Sequence, residues 1–238
     1  MKKTILVTGG SDGIGKEICE SLARKGYLVV NLDKKNFFKK NILFLKTDLS
    51  SQKSIDGSFK KIIKISKNLY GLVNNAGISI SNDFIKYSLN DWKKTFDVNL
   101  NAPFYLSQIF SKFLIKKKIK GAIVNISSIG GNLAFPKNTA YTASKAALKH
   151  LTKSMALDLS KYNIRVNSIS PGYTEGGMNV ASWKNKKLRS ARSKRSMLNR
   201  WAKKDEIANV VIFLLSQNSS FITATNINVD GGWTSKGI

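Results

Sequence analysis

The sequence is poor in several residue types, and each shortage excludes a class of site. Its 238 residues contain one cysteine, Cys19, and one histidine, His150. A single cysteine excludes an intramolecular disulfide and a multi-cysteine zinc site. A single histidine excludes the paired-histidine metal sites of zinc proteases. No metal site is therefore expected.

Long hydrophobic runs are also missing. The longest apolar run is residues 210–215, far short of the roughly 18 residues of a membrane-spanning helix. Near the start, the apolar stretch 5–7 stops at glycines, well below the roughly 7 to 15 residues of a signal-peptide core. We expect a soluble, cytoplasmic protein that does not associate with membranes.

Acidic residues are scarce, since 14 Asp and Glu face 40 Lys and Arg, for a net charge of +26. A balance this basic suggests nucleic acid, membrane surfaces or acidic substrates as partners. Only six of the 40 basic residues are arginine, the residue favoured for bidentate recognition of phosphate or guanine. The lysines are spread along a chain that is also rich in asparagine and isoleucine. We attribute much of the charge to an A/T-rich codon bias.

Short apolar runs alternate with longer amphipathic stretches along the whole chain. This order is typical of βαβ units around a parallel sheet. No internal repeat or low-complexity linker interrupts it. The sequence predicts an α/β fold over residues 1–238, a single domain with a doubly wound parallel sheet of about seven strands and helices on both faces. Ligands of such sheets bind beyond the carboxyl ends of the strands, so functional residues should follow strands.

A glycine-rich turn follows the first predicted strand and opens a helix, with the sequence Thr8-Gly9-Gly10-Ser11-Asp12-Gly13-Ile14-Gly15. Glycines let the backbone approach a pyrophosphate, and the start of the helix offers it N–H groups and a positive dipole end. Tight packing alone can also require such a turn. The second predicted strand ends at Asp33, 18 residues after Gly15, near the spacing at which a carboxylate binds the adenosine ribose hydroxyls. The two features together predict a dinucleotide site.

Tyr141 and Lys145 lie one helical turn apart in a helix predicted over residues 139–160. A tyrosine with its ordinary pKa of about 10 is a poor acid or base at neutral pH, and a neighbouring ammonium favours its phenolate. Such pairs are more often surface pairs than catalytic ones. The surrounding motifs therefore decide the interpretation.

Together, the motifs resemble those of the short-chain dehydrogenases/reductases over essentially the whole chain. They are the turn at residues 8–15, Asp48-Leu49, Asn74-Asn75-Ala76-Gly77, Asn99, Ser128, Tyr141 with Lys145, Pro171-Gly172 and Val229-Asp230-Gly231-Gly232. The resemblance implies a Rossmann-type fold. It also implies an NAD(P)-dependent oxidoreductase that interconverts a secondary alcohol and a ketone by hydride transfer.

The resemblance assigns roles to individual residues. Tyr141 is expected to be the general acid/base, and Ser128 to hold the substrate oxygen. Lys145 is expected to lower the Tyr141 pKa and to bind the nicotinamide ribose, with Asn99 holding a water behind it. The residues expected at the cofactor are Thr8, Gly9, Ser11, Asp12, Gly13, Ile14, Gly15, Asp33, Asp48, Leu49, Asn75, Ala76, Gly77, Tyr141, Lys145, Pro171, Gly172 and Thr174.

Two positions bear on the cofactor. Many relatives carry a threonine where this chain has Gly176, so Thr174 is the candidate substitute. Asp33 repels the 2′-phosphate of NADP, whereas Lys34 and Lys35 soften that repulsion. NAD is the expected cofactor, and NADP is the alternative.

By resemblance, the segment 177–200 is the substrate lid. It contains four of the six arginines, Arg189, Arg192, Arg195 and Arg200. Codon bias raises lysine rather than arginine, so we hypothesise that the lid attracts an anionic substrate such as a sugar nucleotide, a phosphorylated metabolite or an acyl group on an acidic carrier. A solvated basic face explains the arginines equally well.

The sequence leaves two alternative functions to consider. A 3-oxoacyl-(acyl-carrier-protein) reductase using NADPH suits the basic surface, but Asp33 argues against it. A nucleic-acid-binding protein that has kept the fold and lost activity should lack one or more of the four expected catalytic residues. All four are present, namely Asn99, Ser128, Tyr141 and Lys145, and no RNP1-type motif appears. No specific nucleic acid partner is therefore expected. By resemblance, the protein is expected to form a homotetramer or homodimer.

Overall fold

The computed structural model describes residues 2–37 and 39–236. Its core is one parallel sheet with the strand order β3-β2-β1-β4-β5-β6-β7. The strands are β1 Thr4–Thr8, β2 Leu28–Asp33, β3 Ile42–Lys46, β4 Leu69–Asn74, β5 Gly121–Ile126, β6 Ile164–Pro171 and β7 Asn226–Val229. The predicted α/β class and its seven parallel strands are confirmed.

Helices connect the strands and cover both faces of the sheet. They are α1 Gly13–Arg24, α2 Gln52–Ile65, α3 Leu89–Phe96, α4 Ala102–Lys117, α5 Thr139–Leu159, α6 Val180–Lys184, α7 Lys186–Arg195 and α8 Lys204–Leu215. None of the helices in the described part of the chain has the length and apolar character needed to cross a bilayer.

The sheet separates two hydrophobic cores, and β1 shows how the sequence builds them. Successive side chains of a strand point to opposite faces. Ile5 and Val7 therefore pack with residues of α1 and α8, while Leu6 packs with residues of α2, α4 and α5. All three side chains are fully buried, which is why the strand is a continuous apolar run rather than an alternating one.

One predicted element differs from the structure. The sequence predicts a continuous helix over residues 89–118, but α3 and α4 are joined by a π-helical segment, Asp97–Asn101. The extra residue per turn in such a segment shifts the side chains around the axis, and π segments occur often at functional sites. Here the segment places Asn99 in the interior, where it is fully buried.

The strand order reverses between β1 and β4, since the chain leaves β1 for β2 on one side and later returns to β4 on the other. Sheets of this type bind ligands at such a point, beyond the carboxyl ends of the strands. The glycine-rich turn after β1 and the motif that begins at Asn74 lie at this point. The topology thus brings these two separate sequence motifs together.

Candidate active site

Hydrogen bonds between Thr8 and Asn75 join the carboxyl ends of β1 and β4. The Thr8 hydroxyl oxygen accepts bonds from the backbone N–H groups of Asn75 and Ala76, each at 3.0 Å. The Asn75 amide nitrogen in turn donates to the carbonyl oxygens of Thr8 and Gly9, at 2.9 and 3.0 Å. These bonds fix the glycine-rich turn against the residues that follow β4.

The glycines of the turn leave no space for a side chain. Gly9 has a φ of +66°, and a Cβ there would lie 2.9 Å from the Cα of Ala76. A Cβ on Gly15 would collide with the carbonyl oxygen of Gly9. The first turn of a helix leaves its N–H groups without partners inside the helix. The bare turn and the start of α1 therefore form a cradle that suits the pyrophosphate of a dinucleotide.

Asp33 ends β2 beside this cradle. Its carboxylate accepts hydrogen bonds from the backbone N–H groups of Ser11 at 3.0 Å and Lys35 at 3.2 Å. Lys34 turns away, and its Nζ lies 3.0 Å from Oδ1 of Asp48. The Ser50 hydroxyl and Lys34 hydrogen-bond to the Asp48 carboxylate and lower its pKa. Asp33 therefore forms no ion pair with a lysine among the described residues.

Ser128 and Tyr141 face each other across Gly130. Ser128 follows β5, where its hydroxyl oxygen accepts a bond from the Gly130 N–H at 3.0 Å. Tyr141 is in the first turn of α5, and a Cβ on Gly130 would lie 3.3 Å from the Tyr141 ring and 3.4 Å from the Ser128 hydroxyl. Burial raises the pKa of Tyr141, and the nearby Ser128 hydroxyl partly offsets that rise.

Lys145 lies one turn further along α5, almost fully buried. Its Nζ donates to the carbonyl oxygen of Ile126 at 2.8 Å and lies 5.8 Å from the centre of the Tyr141 ring. Burial lowers the pKa of Lys145 to about 8, because desolvation disfavours the ammonium. Lys145 also borders Gly77, where a Cβ would be 3.3 Å from Nζ.

Hydrogen bonds of Asn99 connect the π segment to the first turn of α5, which carries Tyr141. Its amide nitrogen donates to the carbonyl oxygen of Ile78 at 2.9 Å and to the Ser144 hydroxyl at 3.0 Å, while its Oδ1 accepts from the Ile78 N–H at 2.8 Å. The Ser144 hydroxyl donates in turn to the carbonyl oxygen of Tyr141 at 2.8 Å. The structure therefore brings the four predicted catalytic residues close together, namely Asn99, Ser128, Tyr141 and Lys145.

The other predicted cofactor residues divide into two groups. Pro171 ends β6 and Gly172 follows it at the same edge of the sheet, while Ile14 and Leu49 pack into the two hydrophobic cores. Thr174 is buried, and its hydroxyl donates to the Gly172 carbonyl oxygen at 3.1 Å. That hydroxyl already has a backbone partner, which weakens the case for Thr174 as a cofactor ligand.

The segment 177–200 begins directly on the glycine-rich turn. A Cβ on Gly13 would lie 3.0 Å from the Cα of Gly177, and both glycines have a φ of +54°. The segment then forms a single 3₁₀ turn and the helices α6 and α7. The segment therefore starts against the glycine-rich turn, and Arg192 of α7 contacts Tyr173 just after β6.

Sequence reasoning missed an aromatic cluster beside Tyr141. Tyr173 is its centre, with ring centres 5.0 Å from Trp201, 5.0 Å from Trp233 and 6.5 Å from Phe135. The available signal was the aromatic residues that come directly after β6 and β7, at the end of the sheet where ligands bind.

Similarity to known proteins shows the family of this chain. The family model described as enoyl-(acyl carrier protein) reductase matches residues 9–234. The chain belongs to the short-chain dehydrogenase/reductase family, and it is an NAD(P)-dependent oxidoreductase that interconverts an alcohol and a ketone.

Individual relatives match along their whole length. L-xylulose reductase of Caenorhabditis elegans is 36% identical over 243 residues, which cover 98% of this chain and 96% of the relative. The 3-oxoacyl-[acyl-carrier-protein] reductase FabG of Buchnera aphidicola is 35% identical over 241 residues, with 97% of each chain covered.

A solved structure is similarly close. The structure of 4-hydroxyisoleucine dehydrogenase complexed with NADH has a TM-score of 0.95 and 36% identity, covering 99% of this chain and all of its own. A structure of that enzyme complexed with NADH and succinate has a TM-score of 0.90 and 35% identity, covering 98% and 100% of the two chains.

Proposed function

We propose that the chain oxidises or reduces a small, negatively charged substrate with NAD as its preferred cofactor and Tyr141 as general acid/base. The observation that carries the proposal is the grouping of the partly buried Tyr141 and Ser128 with the buried Lys145 at the carboxyl edge of the sheet, beside the cradle formed by residues 8–15.

In the reductive direction Tyr141 donates its phenolic proton to the substrate oxygen, and in the oxidative direction it removes that proton. Ser128 hydrogen-bonds the same oxygen and orients the carbonyl, as an oxyanion donor does. The nicotinamide cofactor, when bound, supplies or accepts the hydride.

Lys145 influences the protonation of Tyr141, and Asn99 influences its position. Burial raises the Tyr141 pKa, which favours the protonated form that a reduction needs. Oxidation needs the phenolate, and the ammonium of Lys145 favours that state. Asn99 holds the backbone of Ile78 and, through Ser144, the first turn of α5 in place, and we place a proton-relay water between it and Lys145.

The cofactor residues follow from the cradle. We propose that the turn at residues 8–15 binds the pyrophosphate, that Asp33 binds the adenosine ribose and that Asp48 and Leu49 border the adenine. Asn75, Ala76 and Gly77 lie on the ribose side, and Pro171 and Gly172 meet the nicotinamide. Thr174 remains a prediction.

Asp33 supports the preference for NAD. A 2′-phosphate would place a second negative charge beside this carboxylate, and Lys34, the nearest candidate to neutralise it, is held by Asp48. A 3-oxoacyl-(acyl-carrier-protein) reductase that uses NADPH is the second candidate, supported by the FabG relative and by the basic surface. The carboxylate of Asp33 disfavours it.

A substrate with negative charge is supported by the arginines of segment 177–200 and by the succinate in the similar structure. We also propose that the protein forms a homotetramer or homodimer. Phe104 on α4 and Leu157 on α5 are 48% and 78% exposed, and burying such side chains between subunits is favourable. Analytical ultracentrifugation tests the assembly.

The deciding experiment is a turnover screen of NADH and NADPH, and of their oxidised forms, against ketones and secondary alcohols with and without a carboxylate. The Tyr141→Phe variant should lose about 100-fold or more in kcat while binding NADH as the wild type does. Turnover that survives this substitution would overturn the proposed role of Tyr141.

A further inference from the structure

Three arginines of α7 lie at intervals of one turn, and each stacks on a different aromatic ring. The guanidinium carbons lie 4.9, 4.4 and 5.2 Å from the ring centres for Arg189 on Trp183, Arg192 on Tyr173 and Arg195 on Trp233. None of the three forms an ion pair within the described ranges 2–37 and 39–236. The stacking fixes these cations in position without neutralising them.

Two cavities border α7, and Arg189 and Arg192 each line a different one. Arg189 lines a cavity of about 250 Å³ together with Trp183. Arg192 lines a second cavity of about 290 Å³ that also contains Tyr173 and Trp233. Of these two cavities, the second is lined by Tyr173.

Tyr173 connects the second cavity to the catalytic group. Its ring meets Phe135, and Phe135 and Tyr141 both border Gly130, where a Cβ would lie 3.4 and 3.3 Å from their rings. Tyr173 is also near enough to Tyr141 to contribute to its raised pKa. Tyr173 therefore lies between the cavity and the proton donor, Tyr141.

Trp233 lines this cavity and carries an unpaired donor. The residue is 6% exposed, and its buried indole N–H has no hydrogen-bond acceptor within the described part of the chain. Nearly all buried donors are paired in folded proteins. An unpaired N–H on a residue of the cavity wall is therefore a candidate donor to a ligand.

The carboxylates of the cavity already have partners. Both oxygens of Glu206 bind the Arg200 guanidinium at 2.7 Å. Asp230 accepts from the Gly232 N–H and from the N–H and hydroxyl of Thr234, at 2.9, 2.9 and 2.6 Å. Arg192 is then the cation of the cavity that lacks an anion.

We propose that the cavity between α7 and the turn after β7 binds the anionic group of the substrate, a carboxylate or a phosphate, with Arg192 and the Trp233 N–H as its donors. This inference rests on the proposed function and narrows it. The substrate is a hydroxy or oxo acid, or the corresponding phosphate ester, whose reacting carbon lies at Tyr141 and whose anionic group lies beyond Tyr173. Arg192 and Trp233 become specificity residues.

Calorimetric titration of the NADH-saturated enzyme with succinate, with its uncharged analogue succinamide and with inorganic phosphate tests the proposal. We expect succinate or phosphate to bind at least 10-fold more tightly than succinamide. The tighter of the two anions identifies the group. Arg192→Gln should weaken that anion at least 10-fold, and Trp233→Phe, which keeps the ring and removes the N–H, several-fold.

Arg189→Gln is the matched control, because Arg189 is on the same helix and is stacked in the same way but lines the other cavity. It should leave anion binding unchanged. Equal effects of the Arg189 and Arg192 substitutions would overturn the subsite and indicate a general effect of basic charge. Equal binding of succinate and succinamide, with phosphate not binding, would also overturn it.

A different result would refute the proposed function, namely that the enzyme does not bind NADH or turns over no alcohol or ketone. An enzyme that turns over only uncharged alcohols, and does so equally well in Arg192→Gln, would refute the anion subsite while leaving the role of Tyr141 intact. Thermal unfolding of each variant checks that segment 177–200 remains folded.

Discussion

The Nζ of Lys145 lies 5.8 Å from the centre of the Tyr141 ring and is held there by a hydrogen bond to the Ile126 carbonyl oxygen. No carboxylate pairs with Lys145 in the described residues. The fold therefore buries a cation whose pKa falls to about 8. A buried, uncompensated cation opposes folding, and its position beside a tyrosine suggests that it is retained for chemistry.

The first prediction concerns stability against pH. The Lys145 pKa is about 8 in the folded chain and returns to its ordinary value of 10.5 in the unfolded chain, so between these values the unfolded chain binds more protons. The free energy of unfolding therefore rises with pH in this window. Lys145→Met lacks this term, so wild-type stability relative to the variant should increase from pH 7.5 to 10.5 by about 3 kcal/mol.

Urea unfolding of both proteins at several pH values in this window measures the difference. Lys153, exposed on the same helix, provides the control, and Lys153→Met should track the wild type at every pH. A wild-type and Lys145→Met difference that stays constant with pH would show that the buried ammonium does not titrate as argued.

The second prediction concerns cofactor choice. The wild type should bind NADH at least 10-fold more tightly than NADPH, a difference of about 1.4 kcal/mol or more. Asp33→Asn should reduce this ratio roughly 10-fold by improving NADPH binding, because the amide keeps the size of the side chain and removes its charge. Fluorescence titration with each cofactor gives the dissociation constants.

Lys34→Ala separates this explanation from one based on the neighbouring lysines. Since Lys34 pairs with Asp48, its removal should leave the NADH to NADPH ratio nearly unchanged. A large change in the ratio would mean that Lys34 reaches the cofactor in the bound state.

Much of the fold was predictable because periodicity and burial are local properties of the sequence. The apolar run of β1 and the alternation of strands with helices predicted the sheet, and the glycine-rich turn predicted the cradle. The break in the helix at Asp97–Asn101 was not predictable in this way. The apolar pattern on both sides continues through it, and the π turn depends on the bonds of Asn99 to Ile78 and Ser144.

Segment 177–200 shows the same limit. Its arginines were evident from composition, but the placement of Arg189 and Arg192 in different cavities depends on which ring each one meets. Arg192 meets Tyr173, which lies 19 residues earlier in the chain, just after β6. Contacts of this kind are set by the tertiary fold, so the sequence predicted a basic segment without distinguishing Arg192 from Arg189.

The third prediction contrasts two glycines. A Cβ on Gly15 would collide with the Gly9 carbonyl oxygen, whereas a Cβ on Gly57, exposed in α2, would meet nothing within 4 Å. Gly15→Ala should therefore destabilise the fold by about 2 kcal/mol or more and weaken NADH binding. Gly57→Ala should stabilise it by about 0.5 to 1 kcal/mol. Urea unfolding measures both, and a neutral Gly15→Ala would mean that the cradle is not tightly packed.

The fourth prediction concerns Asn99 and the π segment. Asn99→Leu removes the hydrogen-bond partners of the Ile78 N–H and carbonyl oxygen and one partner of the Ser144 hydroxyl. Leaving buried polar groups unpaired costs about 1 to 3 kcal/mol each, so the variant should lose several kcal/mol of stability. Asn101, exposed on the same segment and bonded only to Asp97 among the described residues, is the control.

Asn101→Leu should change the free energy of unfolding by less than about 0.5 kcal/mol. Unfolding in urea, followed by tryptophan fluorescence and by far-UV circular dichroism, compares the two variants under the same conditions. If both leucine variants lost the same amount, the cost would not come from the hydrogen bonds of the buried Asn99 amide, because leucine is a better helix former than asparagine. A loss of stability confined to Asn99→Leu would instead show that the buried amide holds the π turn in place. It would also show that the amide holds the backbone of Ile78 and the first turn of α5.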